Sequence, residues 1–166
     1  VYGHAYTSVF GAGTSASEFE FLPGNSMAFL PSGSIPYQQY VLGPTASLAS
    51  ILKAEGYSTL AFHPGERASW QRDRAYPRLG FDSYKCGDDM DVPQTFEHGY
   101  VSDQSDFEQI IWELEHKEEG KPLFLFNVTI QNHGGYEDED YETTVQVNEA
   151  PGEYPQAEQY LSLTKK

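Results

Sequence analysis

Three places in the chain combine residue types and spacing that could do chemistry. The first is Gly11-Ala12-Gly13-Thr14-Ser15-Ala16-Ser17-Glu18-Phe19. Two glycines free the backbone just ahead of a hydroxyl, and Ser15 with Glu18 fits the S-x-x-E pattern that caps a helix. Thr14 would then stand at the positive end of that helix, where a phosphoryl group can be held and a nucleophile activated. Taken alone, the stretch has a plainer reading as a capped helix after a glycine turn. The second place is His63-Pro64-Gly65, at the end of a short apolar run. The third is Gln131-Asn132-His133-Gly134-Gly135, at the end of a longer one. A buried strand that delivers a histidine to a glycine-rich loop is how α/β enzymes place functional side chains.

The elements that must position these residues follow from periodicity. Val1 to Phe10 is rich in β-branched and aromatic residues and predicts a strand. Thr45 is placed to cap a helix running through Glu55, with Leu48, Ile51 and Leu52 on one face and Gly56 as the stop. Tyr57 to Phe62 is a short strand, so helix and strand make the αβ half of a βαβ unit. Leu79 to Tyr84 reads as a turn into another short strand. Gly87 to Gly99 is an acidic loop whose spacing does not fit a calcium-binding loop. Asp103 or Ser105 opens the clearest helix, with Phe107, Ile110, Ile111 and Leu114 as its apolar stripe. Leu123 to Ile130 is apolar without alternation and predicts a central parallel strand covered on both faces. Glu137 to Gly152 is polar and predicts exposed loop or hairpin, and Gln156 to Lys165 predicts a final helix. The fold class is therefore α/β, with a mostly parallel sheet flanked by helices.

Bulk properties narrow the function. A chain of 166 residues is long enough for one domain with a core, and 39% apolar residues exclude a disordered chain. A net charge of −15 argues against nucleic acid and against anionic membrane surfaces, which need a basic face. The single Cys86 excludes an internal disulfide. No apolar run approaches the 20 or so residues needed to span a bilayer. The chain opens on Val1 inside a predicted strand and reads as a piece of a longer protein, residues 1–166 being one partial domain cut at both ends. An open sheet edge left by missing strands would invite pairing with a second copy.

The segment Gly13-Thr14-Ser15-Ala16-Ser17-Glu18-Phe19 resembles the nucleophile segment of the lipoteichoic acid synthase–like phosphoglycerol transferases, in the sulfatase branch of the alkaline phosphatase superfamily. The resemblance extends through Asn25-Ser26-Met27-Ala28-Phe29-Leu30-Pro31-Ser32-Gly33-Ser34. It returns at Trp70-Gln71-Arg72-Asp73, similar to the family's W-x-R-D, and at Thr129-Ile130-Gln131-Asn132-His133, similar to its T-x-x-N-H. It implies part of an alkaline phosphatase/sulfatase-like sandwich. It also implies an enzyme on the extracellular face of a membrane, anchored through segments outside this chain, in a Gram-positive bacterium. Such an enzyme moves phosphoglycerol from phosphatidylglycerol to a glycolipid or a growing polymer through a phospho-threonine intermediate.

On that resemblance Thr14 is the nucleophile and a metal ligand, and Trp70, Arg72, His133 and His63 bind substrate. Each residue type suits the role. Arg72 offers a planar fork of donors with a charge that does not titrate away. Trp70 gives an apolar wall with an N–H donor, and His133 can donate to phosphate oxygens or pass a proton to an alkoxide. Each also has an ordinary reading: Trp70 as core, Arg72 paired with Asp73 or Glu66, His133 as a loop histidine.

Two departures matter. The family carries an acidic residue two positions after the first histidine, where this chain has Gly65. The family's metal, Mn²⁺ or Mg²⁺, is also held by an upstream acid and a later Asp-His pair, and no Asp-His dipeptide occurs here. The expectation is thus metal dependence in the complete protein and little metal bound by this chain alone. The formylglycine sulfatase motif C-x-P-x-R is absent, since Cys86 is followed by Gly87, Asp88 and Asp89. A non-catalytic domain that recognises a polyol phosphate is the reading from another class.

Overall fold

The computed structural model describes residues 13–148 and 150–165, together with Gly3, His4, Tyr6 and Val9. The expected strand over Val1 to Phe10, and the Gly11-Ala12 part of the first turn, lie outside the described residues. Helix α1 spans Thr14–Phe21, α2 Pro36–Gln39, α3 Leu48–Ala54, α4 Arg72–Arg78, α5 Asp103–His116 and α6 Pro155–Lys165. Strand β1 is Ser58–His63, β2 Ser83–Cys86, β3 Phe96–Glu97, β4 Tyr100–Val101 and β5 Leu123–Asn127.

The main sheet has the order β2-β1-β5 and both pairings are parallel, with Ala61 opposite Tyr84 on one side and Phe126 on the other. The α/β class with a parallel sheet is as expected. The strand in the centre is not. Leu123–Asn127 lies at one edge of the described sheet and is half-buried throughout, while β1 runs between two neighbours and is buried from Thr59 to His63. A parallel strand reads as continuously apolar when both faces are covered, and among the described residues β1 is the strand with a neighbour on each side.

The register sorts the sheet into two faces. Ala61, Tyr84, Phe124 and Phe126 share one face and pack against Phe19, Leu22, Tyr37, Ala75 and Tyr76 from α1, α2 and α4. Tyr76 is its hub, with ring centroids 4.9 Å from Tyr84, 5.3 Å from Phe81 and 6.0 Å from Tyr37. Edge-to-face pairs of this kind add to plain area burial.

The opposite face carries Asn127 and Lys85, and α5 meets it with polar side chains. Asn127 donates to Asp106 at 2.8 Å, Lys85 bonds Glu113 at 2.6 Å, and Gln109 donates to Asp91 and Glu113. This corrects the expected stripe. Phe107, Ile111 and Leu114 are about half exposed, and the buried positions of α5 are Ser105, Asp106 and Gln109. A sheet face that presents an amide and an ammonium must be met by hydrogen-bonding partners, because unpaired buried polar groups are costly.

Smaller differences are local. Helix α3 starts at Leu48 behind a Ser47–Ser50 capping box, and the Thr45 hydroxyl bonds the Gly43 carbonyl instead. The acidic loop contains the short β3–β4 hairpin, which has too few residues to leave a periodic signal. No helix among the described residues is long and apolar enough to cross a membrane.

Candidate active site

Helix α1 begins at Thr14 behind Gly13, whose φ of 99° only glycine adopts without strain. The first helical residue, Thr14, is exposed, while Ser15 and Ala16 turn into the core. The expected Ser15–Glu18 capping box does not form: the cap residue is Gly13, with no side-chain bond. Glu18 is committed elsewhere. Its carboxylate accepts from Arg72 Nη2 at 2.5 Å and Nε at 3.2 Å, and from the Tyr76 hydroxyl at 2.8 Å, all deeply buried. A cap contributes roughly 1 kcal/mol. Leaving a buried guanidinium without its partner costs about 3–5 kcal/mol, so the ion pair takes the glutamate.

Arg72 is 1% exposed, and its partner is Glu18 rather than Asp73 or Glu66. The backbone just before it is unusual. Trp70 and Gln71 both have left-handed φ, at 57° and 59°. Such a conformation costs a residue with a side chain roughly 1–2 kcal/mol, and strain of this kind gathers at functional sites. Here it separates two neighbours: Trp70 is 37% exposed, while Arg72 points into the core.

His63, at the end of β1, is buried, and its Nδ1–H donates to the Val128 carbonyl at 2.7 Å. Burial pushes the imidazole below the ordinary histidine range, and the nearby Arg72 and His133 push the same way. The Val128 bond and Glu18 oppose them. The neutral ring thus keeps its lone pair on Nε2. A Cβ at Gly65 would fall 2.5 Å from that Nε2 and 2.9 Å from Ile130 Cδ1. A side chain at 65 would therefore require the His63 ring or the Ile130 methyl to shift.

His133 is exposed on the loop after β5, with its Nδ1 3.1 Å from the Tyr100 hydroxyl and its ring 5.2 Å from the Tyr100 ring. Arg72, Glu18 and His133 each bear on the titration of His63, and Glu18 ties α1 to Arg72.

The sulfatase family pattern matches residues 2–165. The chain belongs to the sulfatase family. It is 39% identical over 98% of its length to a putative cyclic beta-1,2-glucan modification protein of Rhizobium meliloti, of which it covers 25%. Among solved structures it superposes on the lipoteichoic acid synthase LtaP of Listeria monocytogenes with a TM-score of 0.68 at 20% identity, covering 95% of this chain and 39% of that one. It also superposes on the Streptococcus pyogenes phosphoglycerol transferase GacH, solved with sn-glycerol-1-phosphate, with a TM-score of 0.67 at 20% identity over 94% of this chain and 42% of that one. At that identity the two structures establish the sulfatase-like fold. The chain spans about a quarter of the Rhizobium relative's length.

The metal implied by the family does not fit the described residues. Among them no group of three or more His, Cys, Asp or Glu side chains could hold an ion. The Thr14 hydroxyl alone is a poor match for a hard cation that takes six or more oxygen ligands or keeps much of its water. Sequence reasoning missed Glu18 as the partner of Arg72 and Tyr100 as the partner of His133. Glu18 was visible as the acid of the S-E-F segment but matched a helix cap first.

Proposed function

We propose that the complete protein transfers a phosphoglycerol group from a phosphatidylglycerol-type donor to a glycan hydroxyl outside the cytoplasm, with Thr14 as nucleophile. The observation that carries this reading is the buried ion pair that ties the helix opened by Thr14 to Arg72, at the start of α4. Thr14 opens α1, Glu18 one turn later holds Arg72, and His63, at the end of β1, is kept below the ordinary histidine range by burial first and by Arg72 second. The likeness to phosphoglycerol transferases supports the transferred group. The Rhizobium relative, named for glucan modification, favours a glycan acceptor over a lipid-linked polymer.

In this scheme Thr14 Oγ1 attacks phosphorus, and the phosphorus–oxygen bond to the diacylglycerol breaks as the threonine proton passes to the departing oxygen. A glycan hydroxyl then attacks the same phosphorus. The bond to Thr14 breaks, and the glycan proton returns to the threonine. His133, exposed and hydrogen-bonded to Tyr100, carries the proton at the accepting side. The Nε2 of His63 accepts a hydrogen bond from a substrate hydroxyl. Trp70 offers the glycerol a wall and an N–H donor. Arg72, buried and paired with Glu18, acts by positioning: it holds the helix that Thr14 opens.

The test uses the complete protein with an acyl-labelled phosphatidylglycerol. Wild-type protein releases labelled diacylglycerol and gains a phosphoglycerol adduct on the peptide containing Thr14, seen by mass spectrometry. Thr14→Ala does neither. Sustained multiple turnover by Thr14→Ala would overturn the covalent mechanism, and turnover with neither adduct nor transfer would point to a hydrolase.

A further inference from the structure

The first turn of α5 holds both ends of the segment 127–131, which leaves the sheet at the end of β5. Asn127 Nδ2 donates to Asp106 Oδ1 at 2.8 Å, and the Asp103 N–H donates to Gln131 Oε1 at 2.9 Å. Between these two grips lies Val128, whose carbonyl accepts from His63 Nδ1 at 2.7 Å. Just beyond the second, the His133 N–H donates to the Ile130 carbonyl at 2.8 Å. We propose that Asp106 is a neutral carboxylic acid joined to the Asn127 amide by two hydrogen bonds, and that this pair positions the strand end that orients His63 and leads to His133.

The unpaired atoms carry the argument. Asp106 is 0% exposed, and Asn127 is the one side chain among the described residues hydrogen-bonded to its carboxyl. Among those residues, Asp106 Oδ2 and Asn127 Oδ1 are both buried without a hydrogen-bond partner. They are the second polar atoms of two planar groups already joined through Oδ1 and Nδ2. A carboxylate oxygen and an amide oxygen both only accept, so neither can satisfy the other while the acid is ionised. One proton on Asp106 Oδ2 satisfies both at once. The acid O–H then donates to the amide carbonyl while the amide N–H donates to the acid, and two costly orphans disappear.

The charges around the pair point the same way. Asp103, one turn earlier on α5, is the ionisable neighbour that acts on Asp106, and it is itself an acid. The groups that β5 and the loop after it bring to this turn are the neutral amides of Asn127 and Gln131. Lys85 of β2 shares the sheet face but is taken by Asp91 and by Glu113, two turns along α5. Thr95, Ser102 and Ser105 beside the helix start are hydroxyls bonded to one another. A buried carboxylate with no cation facing it gains by keeping its proton. Burial, with Asp103 second, accordingly pushes Asp106 up to about 7.

Loss of that proton turns the second bond into a repulsion between two acceptors, at the residue that precedes Val128. The Val128 carbonyl that fixes His63 then moves with the strand end, while Gln131 stays held by the Asp103 N–H. Asp106 thus acts on His63 through Asn127 and Val128, and is a positioning residue.

Two spectra of the complete protein test this between pH 5 and pH 9. Infrared absorption follows the carbonyl band of protonated carboxyl groups, and nitrogen NMR of histidine-labelled protein follows the His63 ring. The wild type is expected to lose a buried-acid band with a midpoint near pH 7. His63 reports a step at that same pH, separate from its own protonation, which burial places lower. Asp106→Asn keeps both hydrogen bonds as an amide pair, so it folds, lacks the band and holds the His63 signal at its low-pH position throughout. Asp103→Asn removes the neighbouring charge and moves both steps to lower pH together. A carboxyl ionised across the whole range would overturn the proposal, as would a His63 step that persists in Asp106→Asn. An Asp106→Asn protein that fails to fold would also overturn it, because the amide reproduces the two bonds. Neither spectrum needs turnover, so the outcome is independent of the transfer reading.

Discussion

The two faces of the central sheet are built on opposite rules. One is an aromatic face centred on Tyr76, with a single ion pair, Glu18–Arg72, sealed inside it. The other is a hydrogen-bonded face on which α5 turns Asp106 and Gln109 inward and leaves Phe107 and Ile111 about half exposed. On the aromatic face polarity is concentrated at one point, and that point ties the helix of Thr14 to Arg72. On the polar face it is spread along a whole helix. The same face also carries the buried Leu60 and Phe62, and it is at Asn127 and Lys85 that α5 meets it with polar side chains.

The comparison breaks most sharply at Glu18. Glu18→Ala leaves the Arg72 guanidinium and the Tyr76 hydroxyl buried without their acceptor, and urea unfolding should reveal a loss of about 3–5 kcal/mol. A loss under about 1 kcal/mol would mean that the pair is open to water and that the two faces differ less than described.

The polar face should announce itself through pH. Burial, with Asp103 nearby, pushes Asp106 up to about 7, against an Asn127 bond that lowers it. Its folded value lies above its unfolded value, so the folded protein holds the extra proton between about pH 4 and 7. The contribution of Asp106 to stability is therefore fully present below about pH 4 and is lost as pH rises through about 7, on the order of 2–4 kcal/mol in all. Unfolding midpoints compared at pH 5 and pH 8 would measure it, with Asp106→Asn flattening the slope. An unchanged slope in the variant would assign the pH dependence to other groups.

The smallest effect is expected on the outer side of α5. Ile111→Ser should alter the stability of this chain by no more than about 0.5 kcal/mol, as for other exposed positions. A denaturant midpoint displaced by a cost of 2 kcal/mol or more would restore the stripe to a core.

Much of the architecture was legible because it follows local rules. Gly56 ends a helix, Tyr57 to Phe62 is apolar enough for a strand, and the αβ alternation calls for a parallel sheet. The segments around Thr14, Trp70 and His133 could be singled out from residue type and resemblance. What stayed hidden depends on contacts distant in sequence. Glu18 meets Arg72 across 54 positions, and nothing local announces it. His133 meets Tyr100 through a hairpin too short to show a period. Leu123–Asn127 looks like a central strand by composition, and among the described residues it pairs on one side only, with β1.

The crowding around Gly65 constrains how this sequence can change over time. An acidic side chain at 65 requires its neighbours to move, because its first carbon would fall within 3 Å of both His63 and Ile130. The change becomes tolerable only after position 130 has shortened or the ring of His63 has swung away. Those prior steps cost packing, or the Val128 hydrogen bond, and bring no benefit until the acid appears. An engineer grafting the acid should vary positions 63, 65 and 130 in one library rather than in sequence.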